Sequence, residues 1–216
     1  IMMISPGSLV RGYNWMDTLS HEYIHYLVTK KGKNTVPLWL HEGLAKYFEN
    51  RWRNASDSLT PLMETALARG LAENYFIGFD DMMPSFAKLK TAEDVQLAYA
   101  EVSSMVDYMI FLNSEAAVPQ LIEKLAAGNT IENTMQQIFE RSLPEFQKTW
   151  KVYAKQKDFK EISGLKTLHF RFKDDRKREK ENNHEDYENI GSKKARDYAL
   201  LGDILKLRNH LDAAII

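Results

Sequence analysis

The sequence predicts a mostly α-helical fold, α+β in the intact domain once an N-terminal edge strand is counted. Three observations carry this. Apolar residues recur at the i, i+3, i+4 spacing of buried helices through most of the first 157 residues. Prolines and Thr/Ser caps punctuate those runs where helices should begin. Only Ile1-Met2-Met3-Ile4-Ser5 reads as a strand, the edge of a sheet whose other strands would lie upstream. The chain divides into residues 1–160 as one domain, 161–194 as a charged linker, and 195–216 as the beginning of a helical repeat.

The first helix follows Asp17 or Thr18, either of which can cap it, and runs to about Lys31. Gly32, Asn34 and Pro37 supply a turn, with Pro37 suited to the first turn of a second helix. Thr60-Pro61 opens a third helix over Leu62, Ala66, Leu67 and Leu71. Residues 73–90 are expected to form a loop and a short helix. Thr91-Ala92-Glu93-Asp94 then caps a long helix with the stripe Val95, Tyr99, Val102, Val106 and Met109. Two helices follow over about 117–127 and 130–140, and Ser142-Leu143-Pro144-Glu145 has the form of a capping box opening a last one. Trp15, Trp39, Trp52 and Trp150 read as core anchors.

Apolar content of 44% over 216 residues is enough for one substantial core. With a net charge of −1, nothing in the composition suggests a nucleic-acid surface, and no apolar run approaches a membrane span. The absence of cysteine removes disulfides and thiol catalysis. From Lys173 to Lys194 the composition turns charged and polar, which reads first as a solvated linker and second as a partner-binding face.

Chemistry concentrates in His21-Glu22-Tyr23-Ile24-His25 and Trp39-Leu40-His41-Glu42-Gly43-Leu44-Ala45. Two imidazoles four residues apart share one helix face and can hold one Zn²⁺. Glu22 is placed to act as general base on a water at that metal. A tetrahedral catalytic site needs one more protein ligand, which Glu42 can supply. The competing reading is a surface helix with two solvated histidines. On the helical wheel Trp15, Met16, Leu19, Tyr23, Tyr26 and Leu27 gather on one arc and the histidines lie opposite, which allows either reading. The second motif decides between them. Glu42 is surrounded by Leu38, Trp39, Leu40, Leu44, Ala45, Tyr47 and Phe48, and a carboxylate in such a helix is costly unless paired or metal-bound. His41 points about 100° away from Glu42 around the helix and reads as a neighbour of the site rather than a ligand. His169, His184 and His210 have no spacing partners and read as surface residues.

The two motifs together resemble the gluzincin clan of metallopeptidases, in particular peptidase MA-like domains related to the M1 aminopeptidases, whose third-ligand segment reads like Trp39-Leu40-x-Glu42-Gly43-x-Ala45. The likeness covers two helices strongly. It extends more weakly to about residue 157 through Ala98-Tyr99-Ala100-Glu101 and Phe146-Gln147-Lys148-Thr149-Trp150. It implies a thermolysin-like helical subdomain, zinc on His21, His25 and Glu42, and a peptide or protein substrate. It also implies a tyrosine on a downstream helix to steady the oxyanion. Tyr99 fits that role, with a core tyrosine bonded locally as its alternative; Tyr108 is the fallback. Three departures stand out. Sixteen residues separate His25 from Glu42, slightly fewer than in the aminopeptidases. His41 replaces an asparagine. Lys46 stands where some gluzincins carry an acidic residue one turn past the third ligand, which leaves the groups that orient the histidines unassigned.

Tyr198-Ala-Leu-Leu201-Gly202-Asp-Ile-Leu205, with Ala214 beyond, resembles the opening of a tetratricopeptide repeat and implies a protein partner on that surface. A lone repeat cannot bury its own apolar face, so Leu201, Leu205 and Ile215 are expected to pack on the domain or on another chain. Exported bacterial relatives of this build imply an extracytoplasmic setting. The favoured function is a zinc metallopeptidase, and the alternative is a catalytically silent peptidase-like peptide-binding or scaffold module. Retention of Glu22 favours the enzyme, because a structural zinc has no use for a general base. A helical regulatory protein with accidental motifs is the third reading, and it would hold no stoichiometric zinc.

Overall fold

The computed structural model describes residues 14–53, 58–162, 165 and 191–207. These residues form helices α1 (Trp15–Gly32), α2 (Leu38–Phe48), α3 (Pro61–Glu73), α4 (Ala92–Asn113), α5 (Ala117–Ala126), α6 (Ile131–Phe139), α7 (Leu143–Gln156) and α8 (Lys193–Leu207), with 3₁₀ turns at Arg51–Arg53 and Phe86–Lys88. There is no strand among the described residues; the expected edge strand Ile1–Ser5 lies outside them. No described helix is long and apolar enough to cross a membrane.

Local signals account for several of the helix starts. Thr60 accepts from the backbone N–H of Met63 with Pro61 in the first turn, and Thr91 accepts from Asp94. Ser142 and Glu145 close a reciprocal capping box on α7. The expected cap of α1 is corrected. The helix begins earlier, at Trp15 after Asn14, and Asn14 makes no side-chain cap. Asp17 instead accepts from Trp52 and Arg53, and the Thr18 hydroxyl donates back to the Asn14 carbonyl. Pro37 sits at the cap position of α2, one residue before its first turn.

Helix α4 is the centre of the core. Leu97, Ala98, Ala100, Val102, Met105, Val106 and Met109 are buried on it, and α2, α3 and α7 pack around it. Helix α2 lies between α1 and α4 and buries Leu40 and Leu44, each stabilising by about 1.5–3 kcal/mol. At Gly43 the α2 backbone comes so close to α4 that an added Cβ would lie 2.7 Å from the Val102 carbonyl oxygen. Glycine at this position is what lets the Glu42 helix lie flat on the helix that carries Tyr99.

Two of the four tryptophans are anchors. Trp39 stacks on Phe79, and Trp150 is buried with its indole N–H donating to Ser104 Oγ at 3.0 Å. Trp15 and Trp52 are 47% and 49% exposed, against expectation. The apolar arc of α1 is turned outward: Met16, Leu19, Tyr23 and Tyr26 are exposed as well, while the histidine side faces α2. After α7, residues 158–162 run along α3, where Lys160 and Ile162 donate backbone N–H groups to Glu64 and Thr65. Helix α8 also touches α3, but Leu201 on it is 47% exposed, so the packing expected for that residue is not found. Ile215 lies outside the described residues.

Candidate metal centre

His21 and His25 project from one face of α1 toward α2, as their four-residue spacing dictates. Their Nε2 atoms are 3.0 Å apart, and Glu42 Oε2 on α2 lies 3.7 Å from the first and 3.6 Å from the second. Ligands at about 2.0–2.1 Å from a tetrahedral zinc stand roughly 3.3 Å from one another, so the three atoms outline one face of such a site. A donor set of two imidazoles and one carboxylate suits zinc.

A second observation favours a cation. Glu42 Oε2 is buried, and it faces the two imidazoles at 3.7 and 3.6 Å, beyond hydrogen-bond distance. Burial alone would raise the Glu42 carboxyl, but His21 and His25 outweigh it and hold the group down at about 2. Burial likewise lowers His21, yet Glu42 and Glu49 overcome it and lift the imidazole to about 9. Without a metal, the raised His21 imidazole supplies positive charge beside this carboxylate. The residues present therefore fit a divalent cation.

Each histidine ring has a second neighbour on its other nitrogen. Glu49 Oε2 lies 3.1 Å from His21 Nδ1, and Lys46 pairs with the other oxygen of Glu49. The position one turn past Glu42 holds Lys46, so the motif alone does not point to Glu49. Glu49, the C-cap residue of α2, follows Glu42 by seven residues, two turns along, and so returns to the same side. The other partner is His41. Its Nδ1 lies 2.6 Å from Nδ1 of His25, and its Nε2 lies 3.1 Å from Thr29 Oγ1. Burial, followed by the charge of His25, keeps His41 below the ordinary histidine value.

Tyr99 is half-buried against Phe86 at a ring-centroid distance of 4.8 Å, and its hydroxyl is close enough to Glu42 to sense it. Burial first, then the negative charge of Glu42, and further that of Glu49 and Glu22, raise its pKa well above the ordinary tyrosine range. The hydroxyl is therefore a donor that does not lose its proton at neutral pH. Tyr108, nine residues on, sits about half a turn round α4 and packs on Phe146 and Tyr153 of α7. Glu22 is half-buried on α1 next to His21, and its charge reaches Tyr99. Among the described residues, His21, His25 and Glu42 form a cluster with metal-holding geometry, their ligand atoms all within 4.8 Å of one another. His169, His184 and His210 lie outside the described residues.

Comparison with known proteins agrees with this geometry at the level of family. The sequence model of the Peptidase MA superfamily matches residues 3–156, which span α1 to α7 and every residue named at the site. No curated protein and no solved structure gives a significant match.

Proposed function

We propose, from the premise that this chain belongs to the Peptidase MA superfamily, that it is a zinc-dependent metallopeptidase of the gluzincin type. The observation that carries this reading is the convergence of His21 Nε2, His25 Nε2 and an otherwise unpartnered Glu42 Oε2. His21, His25 and Glu42 would hold the ion. When bound, zinc supplies Lewis acidity, polarising a carbonyl and making water nucleophilic at neutral pH.

Glu22 follows the first histidine by one residue and so stands beside the site without joining the ligand set. Its role is to take the proton of the attacking water and deliver it to the leaving amine. Tyr99 contributes the hydroxyl that donates to the oxyanion as the carbonyl becomes tetrahedral. Its raised pKa suits it to donate rather than to act as base. Peptides and proteins are the substrate class. The likeness of the Trp39–Ala45 segment to the third-ligand segment of M1 aminopeptidases supports kinship with that branch. A tetratricopeptide-like unit around α8 would offer a partner surface through the exposed Tyr198 and Leu201.

Metal analysis of the purified protein, followed by digestion of a mixed peptide library with and without a chelator, tests the reading. It predicts one zinc per chain and cleavage that stops when zinc is removed and returns when it is restored. Stoichiometric zinc with no cleavage would instead favour a peptidase-like binding module.

A further inference from the structure

We infer that His41 is the positioning residue for His25: its Nδ1 accepts the Nδ1–H of His25, its Nε2–H donates to Thr29, and this relay presents His25 Nε2 to the metal. The inference rests on the zinc site proposed above and adds to it an imidazole that holds another imidazole. The nitrogen of His25 that faces His21 and Glu42 is Nε2. A metal there uses that lone pair, so the remaining ring proton must sit on Nδ1. The atom facing Nδ1 is His41 Nδ1, at 2.6 Å.

The ring geometry is that of an in-plane hydrogen bond. The two ring planes are 20° apart and their centroids 4.7 Å apart. The 2.6 Å nitrogen–nitrogen contact plus the two ring radii comes to about that separation. The imidazoles therefore meet edge to edge, close to coplanar, with the lone pair of one aimed at the N–H of the other. Only one proton fits between them. With it on His25, His41 carries its own proton on Nε2, which faces Thr29 Oγ1 at 3.1 Å as acceptor. With it on His41, the His25 proton would move to Nε2 and occupy the metal's place. Metal binding thus selects one proton arrangement along the whole row.

The row also ties two helices together. Thr29 follows His25 by one turn of α1, so α1 holds both ends and α2 supplies the middle. His21 is held differently, by the carboxylate of Glu49. The two histidines of the proposed site are therefore contacted by groups of different charge, one on α2 and one at its C-cap.

The test uses the full chain and measures zinc affinity by competition with a chelator of known affinity. The parent, His41→Phe, His41→Asn and Thr29→Val are compared, and each is checked for cooperative unfolding. His41→Phe keeps a flat ring without an acceptor and should weaken zinc about 10- to 100-fold. His41→Asn restores an acceptor oxygen and should recover most of the parent affinity. Thr29→Val should cause a smaller loss. Equal affinity in His41→Phe and the parent overturns the inference, and so does an equal loss in His41→Phe and His41→Asn. If the parent binds no zinc, the reading beneath it fails instead. The ring-nitrogen NMR signals of the zinc-loaded parent give a check that needs no variant. His41 protonated on Nε2 with a bare Nδ1 supports the relay, and a proton on His41 Nδ1 overturns it.

Discussion

Glu49, the C-cap residue of α2 seven positions beyond Glu42, brings its Oε2 to 3.1 Å from Nδ1 of His21. Helix α2 and its C-cap residue thus supply both the carboxylate of the proposed metal site and the carboxylate that contacts the ring of one of its histidines. Removing Glu49 frees the His21 ring and leaves Lys46 without its partner. Glu49→Ala should lower zinc affinity about 10- to 100-fold with the helical content unchanged. Chelator competition and circular dichroism together check this, and an unchanged affinity would remove Glu49 from the site.

Tyr99→Phe deletes one hydroxyl beside Glu42 and leaves the ring against Phe86. A donor that acts chiefly on the transition state shows in kcat rather than KM. The expected fall in kcat is about 10²–10³, with KM little changed. Tyr108→Phe, on the α7 side of α4, should leave kcat near the parent value. Steady-state kinetics on the two variants separate these outcomes, and the reverse pattern would move the role to Tyr108.

Gly43→Ala tests how the site is assembled. Alanine gains about 0.8–1.0 kcal/mol of helix propensity over glycine. Its Cβ would, however, sit 2.7 Å from the Val102 carbonyl oxygen, and overpacking of this kind costs about 1–3 kcal/mol. Because the obstacle is backbone, α2 must shift from α4 and carry Glu42 away from Tyr99. Thermal unfolding should show a lower Tm and assays a lower kcat; a raised Tm would mean the two helices are not held at contact distance.

Glu101 gives a pH signature independent of the metal. It is fully buried on α4, accepts from the Ile77 N–H at 3.1 Å, and leaves its other oxygen unpartnered. Burial raises its carboxyl to about 8, against an ordinary value of 4.5. The folded state thus holds a proton that the unfolded chain releases between those values, so this group lowers stability as pH rises from about 4.5 to about 8. Glu101→Gln keeps an oxygen for Ile77 and removes the titration. Its stability advantage over the parent should grow from pH 5 to pH 8 in denaturant melts, and a constant difference would contradict this account.

The features legible in the sequence were the ones set by short separations along the chain. Ser142 and Glu145 lie three residues apart and cap one turn, so their role needs no tertiary information. The shared face of His21 and His25 likewise follows from helical periodicity, and the apolar surroundings of Glu42 pointed to a carboxylate turned inward. What the sequence hid depends on how helices meet. His41 reaches His25 only because α1 and α2 approach at a particular angle, and Tyr99 lies beside Glu42 because Gly43 lets α2 close on α4. Trp15 and Trp52 stay exposed because apolar character predicts burial only where another element arrives to cover it.

The most direct test of the account is Glu22→Gln. The substitution keeps the shape of the side chain beside His21 and removes only its capacity to take a proton. Zinc content should stay at one per chain while peptide hydrolysis falls by about 10²–10⁴. Zinc retained with hydrolysis undiminished would contradict Glu22 as the base, and with it the proposed peptidase chemistry.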